Sequence, residues 1–401
     1  MIGVTEAEAI ITARLPAASA VLRPLEALGR EVLAEDLVNT DPLPPFDRVA
    51  MDGIAIAFAS WQAGQRCFAV AGIQAAGAPQ LSLSDATQCL EVMTGAMLPL
   101  GCDTVIPYEQ LQRGTNEMRL PETPPLSCGQ NVHHKGSDYA PGSLLLPAGT
   151  VLSGPQWAVA ASLGKARLQL GCRPAIAIVS TGDELVPVDT TPLPHQIRLS
   201  NPYLIEADLR ARGFDVITRC HLPDSETVLA EKLQNLLADN SVLILSGGVS
   251  MGKFDLLPEI LQQLGVSCHF HKIRQKPGKP MWFGTGPKDQ LVFALPGNPV
   301  SVAVCLHRYV LPALQQMLGQ PPAPRPFAVL QQEIVFKKPL VNFLPVRVDY
   351  APNGQIQAWP VAMNGSGDFA SLARSDGFLE LPAEPERFVA QEAYPLWRWT
   401  N

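Results

Sequence analysis

Between Pro174 and Pro299 the chain alternates short apolar runs with helical patterns, and that rhythm leaves few folds open. The runs at 175–179, 242–245, 266–271 and 291–295 are unbroken by Asp, Glu, Lys or Arg, as strands buried on both faces must be, and the strand-like run at 214–217 is interrupted only by Asp215. Patterns of apolar residues at helical spacing over 201–211, 225–237 and 256–264 separate them. Strands alternating with helices predict a parallel sheet covered on both faces. Such sheets bind ligands at the carboxyl ends of their strands. Three turns fall there: Ser180-Thr181-Gly182-Asp183, Ser246-Gly247-Gly248 and Pro296-Gly297-Asn298-Pro299.

Lys276-Pro277-Gly278-Lys279-Pro280 lies between the last two turns. Read alone it is equally a solvated turn. Its prolines and glycine stiffen the backbone, however, and a stiff loop loses little entropy when its lysines grip an anion. Glycine turns bring backbone N–H groups close to a ligand, so Ser246, Gly247, Gly248, Pro296, Gly297 and Asn298 join Lys276 and Lys279 as candidates for phosphate or another oxyanion. No Walker A or G-x-G-x-x-G pattern occurs. Asp183, Glu184, Asp224 and Asp255 lie near the same strand ends; hard carboxylate oxygens suit Mg²⁺. The ordinary alternatives are that Asp224 caps the helix after it and that Glu184 is only solvated. Asp52-Gly53 and Thr94-Gly95 read equally as turns, and His133-His134 lacks a third ligand at metal spacing.

A length of 401 residues predicts two to four domains, and 47% apolar against 17% charged residues predicts packed cores. The net charge of −7 argues against nucleic acid as the main partner, so positive charge must be concentrated locally. Eight cysteines stand singly, with no C-x-x-C pair, and no apolar span is long enough for a membrane; both point to a reduced, cytoplasmic protein. Thr5 and Glu8 suggest a capping box opening a helix that stops at Pro16, with a second helical segment over 25–32. The proline-dense stretch 41–45 reads as a domain border, and 52–138 as short strands. Beyond a proline linker at 320–326, the chain reads as a small β domain.

With these residues placed, the chain resembles the molybdopterin molybdenumtransferase family, the MoeA and gephyrin C-terminal type, over nearly its full length. The resemblance rests on ordered strings: Pro44-Pro45-Phe46-Asp47, Ala50-Met51-Asp52-Gly53, Met93-Thr94-Gly95-Ala96, Asn131-Val132 with Gly136 and Asp138, Ser180 to Leu185, Ser200-Asn201, Ser246 to Ser250, the lysine loop, and Leu295 to Ser301. It implies an α/β multidomain protein: a molybdopterin-binding α/β domain (1–23 and 172–323), a small extended linker domain (24–44 and 140–171), an inserted β-rich domain (45–139) and a C-terminal β-barrel-like domain (324–401). It also implies a homodimer with its active cleft between subunits.

The implied reaction inserts molybdenum from molybdate into adenylylated molybdopterin with release of AMP and the assistance of Mg²⁺. On this resemblance Asp52, Thr94, Asp138, Glu184, Asp224 and Asp255 are catalytic, the first three reaching the cleft from the partner subunit. Glu184, Asp224 and Asp255 would hold Mg²⁺, while Asp183, Lys276, Lys279, Ser301, Arg347 and Ser366 would join the glycine turns in binding substrate. Partners would be the molybdopterin adenylyltransferase and apo-molybdoenzymes, with no nucleic acid or membrane. A tungsten-inserting enzyme and a non-catalytic scaffold are the alternatives; a scaffold has no need of the lysine and carboxylate set. Departures from the family pattern are Arg48-Val49 for Asn-Ser, Ile54 for tyrosine, His133 for arginine, Ser137 for glutamate and Pro345 for arginine, with Arg347 two residues on.

Overall fold

The computed structural model describes residues 1–120, 122, 125–249 and 256–400. They form two compact units, Asp36–Pro147 with Ser162–Gly164, and Met1–Glu35 with Ala148–Ala161 and Lys165–Asn401. No helix among the described residues is long and apolar enough to cross a membrane.

The 36–147 unit is built on a six-stranded sheet in which the strand Gly53–Ile56, next to one edge, is antiparallel to Gln88–Val92 and to Thr104–Pro107. Side chains alternate across a strand, so Ile54 and Ile56 enter one core with Phe68 and Ile106, while Ala55 enters another with Val92 and Val105. Two apolar faces explain why all four residues of this strand are buried. Beside the sheet, Arg48–Val49 and Val132–His133 pair as a short antiparallel ladder.

In the larger unit, Ile217–Leu222, Ile176–Thr181, Val242–Ser246 and Leu291–Leu295 lie side by side and parallel. The predicted sheet is thus present but mixed: Trp282–Thr285 runs antiparallel to Ser267–His271 and to Leu291–Leu295, the latter because only a short turn over 286–290, with no crossover helix, joins the two strands. Odd and even positions separate cleanly. Ala177, Val179, Leu243 and Leu245 pack with helices Glu226–Asp239 and Leu257–Gln263, whereas Ile176, Ile178, Val242 and Ile244 face helices Val4–Thr12, Asn201–Ala211 and the 299–317 helical run. The next strand after Ile176–Thr181 lies to one side of it, and the one after that to the other. The crevice at this reversal of strand order is where open α/β sheets bind ligands.

Five strands, Phe327–Leu330, Val341–Tyr350, Ile356–Pro360, Gly377–Leu381 and Ala393–Arg398, close into a C-terminal barrel. Its long strand also pairs with Gln275–Lys276, at the start of the lysine loop, through Gln275↔Val341 and Lys276↔Asn342. Two local expectations fail. Residues 25–32 form no helix; the strands Ala20–Pro24 and Glu31–Val32 lie here, the first bound to Arg167–Gly171, and long-range pairing overrides helical propensity. The first helix starts at Val4 after Gly3, whose N–H donates to Glu6 rather than to the expected Glu8.

Candidate functional site

The ends of the parallel strands and the lysine loop surround a cleft of about 520 Å³, lined by Thr181, Gly182, Glu184, Asp224, Gly247, Gly248, Gln275 to Pro280, Pro296 to Asn298, Ser301 and Ser366. At the centre of the strand reversal, Ser180 and Ser246 hydroxyls lie 3.2 Å apart, both buried. Gly247 has φ +98°, and a Cβ there would stand 2.7 Å from the Thr181 carbonyl, so only glycine lets this turn close onto the neighbouring strand end.

The loop 276–280 is held from beneath. Gln275, fully buried, donates to the Gly278 carbonyl at 3.1 Å, touches Cys305 Sγ and accepts from the Tyr309 hydroxyl. With the amide occupied below and a barrel strand alongside, Lys276 and Lys279 stay exposed on the cleft, and neither forms an ion pair among the described residues. Opposite, the 299–317 helical run begins after Asn298, so its positive dipole end faces the cleft, where Ser301 lines the wall; Pro299 has no N–H and the Val300 N–H donates to the Ser366 carbonyl at 3.1 Å. Asn298 donates to Ser366 Oγ at 2.9 Å, and Asn201 donates to the Gly297 carbonyl at 2.7 Å, which fixes this turn from two sides.

Negative charge is confined to one edge. Asp183 accepts from the Asp224 N–H at 3.1 Å but does not line the cleft, whereas Glu184 and Asp224 do. Burial, and then the Asp183 and Glu184 charges, raise the Asp224 carboxyl above its usual range. A divalent cation would relieve that repulsion. No group of three His, Cys, Asp or Glu side chains among the described residues could hold a metal, and the expected third ligand, Asp255, lies outside the described residues. Two carboxylates still fit Mg²⁺, which commonly keeps its waters and completes its shell with substrate phosphate.

The structure thus brings together Glu184, Asp224, Gly247, Gly248, Lys276, Lys279, Pro296, Gly297, Asn298, Ser301 and Ser366; Ser246 lies just behind, lining an adjoining cavity of about 720 Å³. Arg347 does not line this cleft. It is exposed and bonded to Asp349 at 2.9 Å, five residues and about 17 Å along the barrel strand from the partner of Lys276. Pro345, where the family pattern has arginine, is buried in the same strand. Asp52, Thr94 and Asp138 belong to the 36–147 unit. There Asp52 accepts from the Thr94 N–H at 2.6 Å and its hydroxyl at 2.7 Å, bonds that hold its carboxyl below the usual range. His133 and His134 face different carboxylates, Asp138 at 2.7 Å and Asp47 at 3.5 Å.

Two cleft residues escaped the sequence reading. Gln275 carries no motif, and only its burial exposes its role. Thr181 stood beside two carboxylates that drew the attention; its hydroxyl is buried with no partner among the described residues, on the wall shared by both cavities.

Fold and cleft together define a multidomain α/β protein whose cleft sets two lysines against glycine turns and a helix N-terminus, the chemistry an anion requires. Three family profiles match in order: the MoeA N-terminal region (domain I and II) over residues 2–164, a "Probable molybdopterin binding domain" over 177–316, and the MoeA C-terminal region (domain IV) over 328–392. The chain is 42% identical over 400 residues to a molybdopterin molybdenumtransferase from Synechocystis sp., covering 100% of both chains, and 31% identical to one from Haemophilus influenzae, covering 93% and 92%. A crystal structure of the molybdopterin biosynthesis MoeA protein from Pyrococcus horikoshii superposes with a TM-score of 0.83 at 26% identity, over 99% of this chain and 100% of that one. The chain belongs to the molybdopterin molybdenumtransferase family.

Proposed function

We propose that this protein transfers molybdenum from molybdate to adenylylated molybdopterin and releases AMP, completing molybdenum cofactor. The observation that carries the reading is the cleft itself, where two exposed lysines on a pinned loop face two glycine turns and a helix N-terminus. Both substrates are anions that such a surface would retain. Cleavage of the phosphoanhydride bond depends on alignment and on neutralising charge at the phosphorus and the leaving oxygen. Lys276 and Lys279 supply that charge without a proton transfer, and the positive end of the helical run after Asn298, with Ser301, orients the phosphate. Mg²⁺ at Glu184 and Asp224 would neutralise phosphate oxygens. The reading carries with it a homodimer in the cytoplasm, the four-part division at 23/24, 44/45, 139/140, 171/172 and 323/324, and a supply of Asp52, Thr94 and Asp138 from the partner subunit.

The deciding experiment incubates purified protein with adenylylated molybdopterin, Mg²⁺ and either molybdate or tungstate, and follows AMP release together with reconstitution of an apo-molybdoenzyme. Oxyanion-dependent AMP release is expected. Its absence would leave the scaffold reading standing, and equal rates with tungstate would remove the metal preference. Lys279→Ala is expected to raise the molybdate concentration for half-maximal release about tenfold or more, the weight of one charge-assisted contact, with stability within about 0.5 kcal/mol. An unchanged concentration dependence would count against the lysine. Thr181→Val removes an unpartnered buried hydroxyl, so urea stability should hold or rise by about 1 kcal/mol while AMP binding by calorimetry weakens severalfold. Equal AMP affinity would show that the hydroxyl faces no ligand.

Asp224 supplies a pH test. Its folded pKa is raised, so the native state binds more protons than the unfolded chain between the two values, and stability falls as pH rises through that window. Asp224→Asn should remove that slope and weaken the Mg²⁺ requirement's pH dependence. A slope identical to that of the unaltered protein would place the raised carboxyl elsewhere.

A further inference from the structure

Arg48 and His133 are opposite each other in the two-residue ladder, although they are 85 positions apart in the chain. Arg48 Nη2 lies 3.0 Å from His133 Nδ1, and His133 Nε2 lies 2.7 Å from Asp138 Oδ1. A guanidinium has no acceptor, so Nδ1 must present its lone pair to Arg48. The neutral ring then carries its one proton on Nε2, aimed at the carboxylate. With the ring turned over, carbon atoms would face both partners and neither bond would exist.

The carboxylates of this unit differ in what fixes them. Asp52 is held by the Thr94 N–H and hydroxyl, and Asp47 by the Lys135 N–H at 2.7 Å. Asp138 has no such backbone support: its own N–H is tied to the Leu43 carbonyl at 2.9 Å, and among the described residues its side chain bonds to His133 alone. Its orientation therefore depends on the ring, and the ring's tautomer depends on Arg48. The two departures from the family pattern, arginine at 48 and histidine at 133, are thus one arrangement, with the cation moved across the ladder and an imidazole inserted between it and the acid.

We propose that Arg48 and His133 form a positioning relay for Asp138, Arg48 fixing the Nε2–H tautomer and His133 holding Oδ1 so that Oδ2 faces outward. A neutral N–H donor orients the carboxylate without placing a cation against it, and Asp138 keeps its charge for a ligand. That Asp138 serves the reaction rests on the function proposed above; the relay itself does not.

The test uses full-length protein with ¹⁵N-labelled histidine at pH 7.5, the His133 resonances being assigned by their loss in His133→Leu. A pyridine-type Nδ1 and a pyrrole-type Nε2 are expected, shifting toward a tautomer mixture in Arg48→Met. In the AMP-release assay Arg48→Met and His133→Leu should lower kcat about tenfold with the molybdate dependence unchanged. His133→Gln, whose amide can accept from Arg48 and donate to Asp138, should retain at least a third of the rate. An Nδ1–H or mixed tautomer in the unaltered protein would overturn the relay whatever the rates show. The expected tautomer with full turnover in both Arg48→Met and His133→Leu would overturn the positioning role. Failure of the unaltered protein to release AMP would overturn the proposed function and with it the duty given to Asp138, the tautomer alone then deciding whether the relay exists.

Discussion

Arg308→Ala is expected to lower the stability of the larger unit by about 3–5 kcal/mol, read as the urea midpoint followed by tryptophan fluorescence. Arg308 sits in a π-helical turn, Leu306–Val310, with 1% of its surface exposed. Its Nε donates to Glu380 of the barrel at 2.9 Å and its Nη2 to Glu8 of the first helix at 2.9 Å. Arg325 from the proline linker reaches the other oxygen of Glu8, and both guanidinium groups lie over the Trp397 ring, Arg308 at 4.7 Å and Arg325 at 4.6 Å from its centroid. Alanine would leave Glu380 half-enclosed with only the Trp397 N–H, besides opening a cavity. Because unpartnered charge dominates that loss, Arg308→Met combined with Glu380→Gln should recover a large part of it. A loss under 1 kcal/mol for Arg308→Ala would mean that water already solvates the group.

Gly278→Ala should both destabilise and disarm the protein. Gly278 has φ +85°, which costs a residue with a Cβ roughly 1–2 kcal/mol, and that Cβ would stand 2.5 Å from Cys305 Sγ and 2.7 Å from Gln275 Nε2. Moving Gln275 breaks bonds of a buried amide, so a total near 3 kcal/mol is expected, along with a molybdate requirement raised well beyond that of Lys279→Ala because both lysines shift together. Adding Cys305→Ala, which clears the sulfur, should restore part of the stability. Full oxyanion dependence in Gly278→Ala would show that the loop tolerates displacement.

What could be read in advance followed locality. The parallel strands and their helices were legible because every residue of the runs at 176–181, 242–246 and 291–295 is buried and the amphipathic repeat of Glu226–Asp239 is regular. The turns at Gly247 and Gly297 followed from the strand ends. Pairings across long separations were not legible. The segment near 25–32 looked helical on its own, yet the strand before it bonds to Arg167–Gly171, and Glu8 appeared to cap a helix when it serves Arg308, 300 positions away. Closure of the barrel, the antiparallel edge of the sheet and the buried hold of Gln275 share that cause. So does Arg48 meeting His133, whose two unusual residues carried no hint in sequence that they touch.

The lysine loop leaves the α/β sheet and runs as a parallel rung against the first residues of the barrel's long strand, while Phe343 of that strand joins the sheet's own core. The barrel is therefore a jig for the loop more than an appendage behind it. A chain cut within the proline linker would give the loop slack and at the same time strip Phe343 from the core and Glu380 from Arg308, so grip on oxyanions and stability should fall together. Sequence drift in the last quarter of the protein is accordingly constrained by the placement of two lysines that lie before it.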